Sequence, residues 1–199
     1  MHQYEPQTFN LPDLKGLSAK QIEVHLGLYQ GYVKHVNLLR NTIAAYEKTD
    51  DEGGKFAIAE MRRRLGFEFN GMRMHEYYFE GFENGAAEID DKGALAKCVS
   101  EKYGDWNGFI EHFKKVGLGT RGIGWVILYY DPKGKTPHVA WVSDHELGQL
   151  AGLPIILAMD MWEHAYMVDY APAEKKQYVE AYLANTNWQV AENRFSKVA

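Results

Sequence analysis

Two apolar patterns, each repeating at intervals of three and four, constrain this chain more than any other feature of its sequence. In GLSAKQIEVHLGLYQGYVKHVNLLRNTIAAYEK, residues Ile22, Leu26, Tyr29, Val33, Val36 and Leu39 fall on one face of a helix. Ser18 and Gln21 stand at its start in capping-box spacing. Residues 55 to 83 repeat the pattern with Phe67, Met74, Tyr78 and Phe82. Turn-rich TDDEGG lies between the two. Two long helices joined by so short a link lie antiparallel, which predicts a helical hairpin as an N-terminal domain over residues 1–90.

Beyond DDKG the period changes, and residues 91–199 read as a second, C-terminal α/β domain. Residues 94 to 103 and 106 to 116 predict two shorter helices, the second capped by Asp105. GWVILYY and HVAWVS are β-branched and aromatic runs on either side of the turn DPKGK, so they predict a hairpin. LPIILAMD is a third strand-like run ending at Asp160, and residues 174 to 196 return to helical periodicity. The expected fold is α+β: a long helical hairpin, then a lobe with a small three-stranded antiparallel sheet flanked by helices.

Composition narrows the function classes. A chain of 199 residues that is 46% hydrophobic can bury a substantial core. Its net charge of -5, without a polybasic run, argues against nucleic acid as a partner. No apolar run approaches the ~20 residues of a membrane helix. The first residues lack the basic and apolar segments of a secretory leader. A single cysteine, Cys98, excludes an intramolecular disulfide framework. The expectation is a cytoplasmic globular protein that binds neither nucleic acid nor membrane.

Chemistry concentrates in LAMDMWEHAYM, where Asp160, Glu163 and His164 stand among apolar and aromatic residues. Buried ionisable groups are costly unless paired, hydrogen-bonded or bound to a metal. Of the eight histidines, His2, His35, His112 and His138 lie in polar or terminal settings and read as surface residues. His25 and His75 each sit mid-helix among apolar neighbours, where an antiparallel hairpin could bring them to one level. Singly, each is also compatible with a satisfied core histidine, and Asp160 with a helix N-cap. Together, three imidazoles and a carboxylate form a mixed nitrogen and oxygen set that suits iron, manganese or zinc. The glycines of GLGTRGIGW lack the lysine-serine ending of a phosphate loop, and no nucleophile elbow occurs.

DMWEHAY resembles the D-x-W-E-H-A-Y signature of the iron/manganese superoxide dismutase family. KQIEVH, NGMRMHEYYF, GIGWVIL and NTNW resemble its other segments, so the likeness covers nearly the whole chain. The resemblance implies metal ligands at His25, His75, Asp160 and His164, with a water or hydroxide as a fifth ligand. It implies one iron or manganese ion per subunit, iron slightly favoured, that alternately oxidises and reduces superoxide. Tyr32 matches the family's gateway tyrosine, although the usual spacing from the first ligand is one residue longer. Tyr29 and Met167 occupy positions often held by histidine and tyrosine, which alters the family's proton relay. Gly71 stands where iron enzymes often carry glutamine, and His145 is about where manganese enzymes do. His145 is thereby expected to act in the outer shell with Tyr32, or else to be an exposed loop residue. Glu163 resembles the glutamate that pairs with the ligand histidine of a second subunit in a homodimer. Trp125 and Trp162 are expected to shield the site, and Lys175 and Lys176 are candidates for attracting superoxide.

Two other readings stay open on the sequence. One is a non-catalytic or weakly active metal-binding relative on the same fold, given the changes at Tyr29 and Met167. The other is a non-haem iron oxygenase, which needs only two histidines and one carboxylate.

Overall fold

A computed structural model of the chain describes residues 2–49 and 51–199. Helix α1 (Ala19–Tyr46) and helix α2 (Glu52–Glu80) form the expected antiparallel hairpin. Asp51 caps α2 by accepting the Gly54 N–H at 2.6 Å, whereas Asp50 of the expected turn lies outside the described residues. Ser18 caps α1 by accepting the Gln21 N–H at 3.0 Å. The reciprocal half of the capping box does not form, because the Gln21 side chain is buried and bonded elsewhere.

Helices α3 (Ala94–Tyr103) and α4 (Trp106–Gly119) follow, then strands β1 (Trp125–Asp131), β2 (Thr136–Val142) and β3 (Ile155–Asp160). The sheet is antiparallel in the order β2-β1-β3. β1 is the central strand and is buried from Trp125 through Tyr130, which explains its continuous apolar run. Its register sets Trp125 opposite Asp160, so strand pairing alone brings an indole beside the carboxylate.

Several boundaries differ from expectation: α2 begins at Glu52, α4 runs on to Gly119, β2 begins at Thr136, and two further differences concern packing. α2 stops at Glu80, and Phe82 packs into the core from the following turn. The helical pattern over 174–196 is two helices, α5 (Lys175–Asn185) and α6 (Trp188–Phe195). The break has a hydrogen-bonding cause. The Asn187 and Trp188 N–H groups donate to the carbonyls of Gly81 and Ala87 at 2.7 and 3.0 Å, so they cannot continue α5. That pairing ties the end of the chain to the segment after α2. Among the described residues, no helix is long and apolar enough to cross a membrane.

Candidate metal centre

Four elements each deliver one donor to a single point. α1 carries His25, α2 carries His75, β3 ends at Asp160, and the 3-10 turn Glu163–Ala165 carries His164. Asp160 Oδ2 lies 3.1 Å from His25 Nε2, 3.1 Å from His164 Nε2 and 3.6 Å from His75 Nε2. All four donor atoms fall within 4.8 Å of one another. His25, His75 and Asp160 are fully buried, and the His164 side chain is 18% exposed.

Protonation follows from partners and burial. The Gly71 carbonyl can only accept, so His75 Nδ1–H donates to it at 2.6 Å and Nε2 keeps its lone pair. That buried Nε2 has no hydrogen-bond partner among the described residues. Burial lowers the pKa of His25 and drives that of His75 well below 6.5, so both rings are neutral near pH 7. Burial alone would raise Asp160, but the adjoining His164 and His25 outweigh it and hold the carboxyl well below its ordinary range. An ionised carboxylate facing neutral imidazoles, one with an orphaned lone pair, fits a mononuclear cation such as iron.

Asp160 Oδ1 accepts the Trp162 N–H at 2.8 Å, although the N-cap of the following turn is Trp162 itself, and Oδ2 is left facing the imidazoles. The Tyr178 hydroxyl donates to the Asp160 carbonyl at 2.5 Å and holds the strand end in place. Gln21 fixes the turn carrying His164 against α1: Nε2 donates to the His164 carbonyl at 2.6 Å, and Oε1 accepts the Val168 N–H at 3.0 Å.

His145 is fully buried, so the exposed-loop alternative gives way. Its Nδ1 accepts the Trp125 indole N–H at 3.0 Å; an indole only donates, so the neutral ring carries its proton on Nε2. Nε2 then donates to the Tyr32 hydroxyl oxygen at 2.8 Å, leaving Tyr32 to direct its own proton elsewhere. Burial lowers the His145 pKa from 6.5 to about 4 and raises that of Tyr32. Trp162 stacks on the His145 ring at 4.9 Å, and Phe67 meets it edge-on at 4.6 Å. The His145 carbonyl accepts from Asn70 at 2.8 Å and from Gln149 at 3.3 Å, which pins the loop to α2.

Gly71 has a steric reason. A Cβ there would lie 2.6 Å from Tyr32 Cδ1 and 2.7 Å from Cε1, so a side chain at 71 and Tyr32 in this position exclude one another. Gly71→Ala is expected to displace the Tyr32 ring and cost about 1–3 kcal/mol, the usual range for overpacking. Urea unfolding reads the cost, and a midpoint equal to that of the parent would show that the ring yields freely.

The remaining expected residues divide. Trp125 and Trp162 flank the centre: Trp125 meets His75 edge-on at 5.1 Å, and Trp162 stacks with His164 at 5.7 Å. Glu163 is exposed next to His164. Tyr29 is fully buried, and its hydroxyl turns to Gln7 N–H at 2.9 Å and Glu76 Oε1 at 3.1 Å. Burial raises its pKa to about 12. Lys175 donates to the Thr120 carbonyl at 3.1 Å, and Lys176 faces Glu180 at 3.9 Å. Sequence reasoning missed Tyr178, Asn70, Gln149 and the role of Gln21, because a polar side chain that reaches another element leaves no periodic trace.

Fold and site together define a mononuclear metalloprotein whose ligands are shared between a helical hairpin and an α/β lobe. Residues 91–194 match the family model of iron/manganese superoxide dismutases, C-terminal domain. Over 199 residues the chain is 30% identical to "Superoxide dismutase [Fe]" of Saccharolobus solfataricus, covering 98% of this chain and 94% of that protein. It is 32% identical over 198 residues to the protein of the same name from Cupriavidus metallidurans, covering 98% and 97%. It is 31% identical over 183 residues to that from Sulfolobus acidocaldarius, covering 91% and 86%. The chain belongs to the iron/manganese superoxide dismutase family.

Proposed function

We propose that this chain converts two superoxide anions and two protons into dioxygen and hydrogen peroxide, with His25, His75, Asp160 and His164 holding one iron ion. The convergence of those four donors on one buried point carries the reading. Bound there, iron supplies one-electron cycling between its trivalent and divalent states, which alternately oxidises and reduces superoxide.

The chain's own groups orient and protect that chemistry. Trp125, Trp162 and Phe67 keep bulk water from the imidazoles. The Trp125–His145–Tyr32 chain sets one tautomer and holds a proton on the Tyr32 hydroxyl at the edge of the site. Iron rather than manganese is supported by the names of the relatives. The division at residues 90 and 91, a cytoplasmic location and a homodimer belong to the same proposal. Glu163 supports the dimer: it is exposed beside His164, with Met167 and Val168 also exposed. In a dimer, Glu163 of one copy pairs with His164 of the other.

The test is metal content of the purified protein, then superoxide decay after separate reconstitution with iron and with manganese. One ion per chain and fast decay with iron are expected. Full occupancy with negligible decay for either metal would leave a non-catalytic relative.

A further inference from the structure

We infer that Arg64 draws the anionic substrate into the opening beside the metal centre, with buried Glu68 setting how much of its charge is felt there. The inference rests on the superoxide reading above, because it assigns that substrate its point of entry.

A pocket of about 350 Å³ opens between α1 and α2, with Gly27, Gly31, Tyr32, Arg64, Phe67 and Trp162 in its lining. Among the described residues, a Cβ at Gly27 or Gly31 meets nothing within 4 Å, so the α1 side is open at these two positions, between Leu28, Tyr32 and His35. Two of the lining residues are already placed at the site. Tyr32 bonds to His145, and Trp162 stacks on both His145 and His164. The pocket therefore reaches the residues that surround the centre, with Trp162 between it and the partly exposed His164.

Arg64 is the guanidinium in that lining, and its setting is unusual for a surface cation. Its Cζ sits 4.2 Å from the Phe67 ring centroid, and Phe67 in turn meets the His145 ring at 4.6 Å. Nε and Nη2 approach Glu68 Oε1 at 2.9 and 2.7 Å. The Arg64 side chain is 47% exposed, whereas that of Glu68 is 4% exposed. The pair is thus a dipole with its positive end towards solvent and its negative end in the protein. Glu68 Oε2 has no hydrogen bond among the described residues, and His35 Nδ1 lies 3.5 Å from it. Both charges of the pair are felt at Tyr32, whose pKa is raised chiefly by burial: Glu68 adds to the rise and Arg64 offsets it in smaller part.

An anion approaching a chain of net charge -5 is repelled unless a local cation offsets the field at the entrance. The two lysines nominated from the sequence do not line this pocket, although Lys175 feels the charge of Glu163. Lys175 is spent on the Thr120 carbonyl, and Lys176 lines a separate pocket between α4 and α5. Arg64 combines a fixed position, partial exposure and contact with the residues around the centre.

The experiment uses the iron-loaded parent, Arg64→Gln, Arg64→Lys and Glu68→Gln. It measures kcat/KM for superoxide against ionic strength, and the Kd for azide, a small anion, from the change in the iron absorption band. Arg64→Gln is expected to lower kcat/KM about two- to fivefold at low salt, the order of effect of one unit charge acting through solvent. It should flatten the salt dependence, weaken azide by a similar factor and leave iron content unchanged. Arg64→Lys should keep most of each effect, and Glu68→Gln should tighten azide and steepen the salt dependence. Coincidence of Arg64→Gln with the parent in both salt dependence and azide Kd would overturn the inference. If Arg64→Gln fails to load iron, Glu68→Gln decides, and an azide Kd no tighter than that of the parent overturns the inference. A parent that fails to dismutate superoxide yet binds azide in an Arg64-dependent way would instead sink the enzymatic reading and leave the anion-attracting role standing.

Discussion

Asp160→Ala is expected to yield a folded protein that retains no stoichiometric iron and has lost all measurable superoxide activity. The physical reason is the position of Oδ2, which is the one atom facing His25, His75 and His164 together. Three imidazoles without that anion hold a trivalent ion poorly, because nothing at the centre then balances its charge. The fold should persist. Tyr178 bonds the Asp160 backbone carbonyl rather than its side chain, and β1 pairing still secures the strand end. Asp160→Asn is the informative companion. It keeps an oxygen for the Trp162 N–H but removes the charge, so partial iron loading with a large loss of activity is expected. Metal analysis of the three proteins purified alike checks the result. Full iron occupancy in Asp160→Ala would show that the centre lies elsewhere.

Chelating the metal should lower the melting temperature by about 10 °C, and returning iron should restore it. A ligand present at about a thousand times its dissociation constant stabilises the folded state by about 4 kcal/mol. In a chain of this length each kcal/mol is worth about 2–4 °C. The effect is mechanical as well as energetic, since an ion held by these four donors would link α1, α2, the end of β3 and the turn after it. In the apoprotein those elements meet through imidazole–carboxylate contacts that leave the buried His75 Nε2 unpartnered. Scanning calorimetry of the loaded, chelated and reloaded protein measures the shift, and a loaded and a chelated protein melting together would mean that the metal does not join these elements. Asp160→Ala offers an internal control, because added iron should not move its transition.

Local chemistry determined much of this protein by itself. Apolar residues at helical spacing specify α1 and α2 because a helix must bury one stripe, and the short link forces the hairpin. β-branched and aromatic runs specify the three strands, and the DMWEHAY string marks both Asp160 and His164. The helix break at Thr186 and Asn187 was not legible, because it arises from hydrogen bonds to Gly81 and Ala87, about a hundred residues away. The fates of Gln21, Tyr29 and His145 were no more visible. Each has a plain local reading, as a cap, a helix-stripe aromatic or a loop histidine, and each is reassigned by a partner on another element. Gly71 reads as a missing glutamine in sequence and as room for Tyr32 in space. Sequence patterns thus determined which elements form and which donors a metal could use, since those depend on neighbours three or four residues away. Only the tertiary structure decided tautomers, outer hydrogen bonds and the charge at the entrance, since those depend on atoms that folding alone brings within about 3 Å.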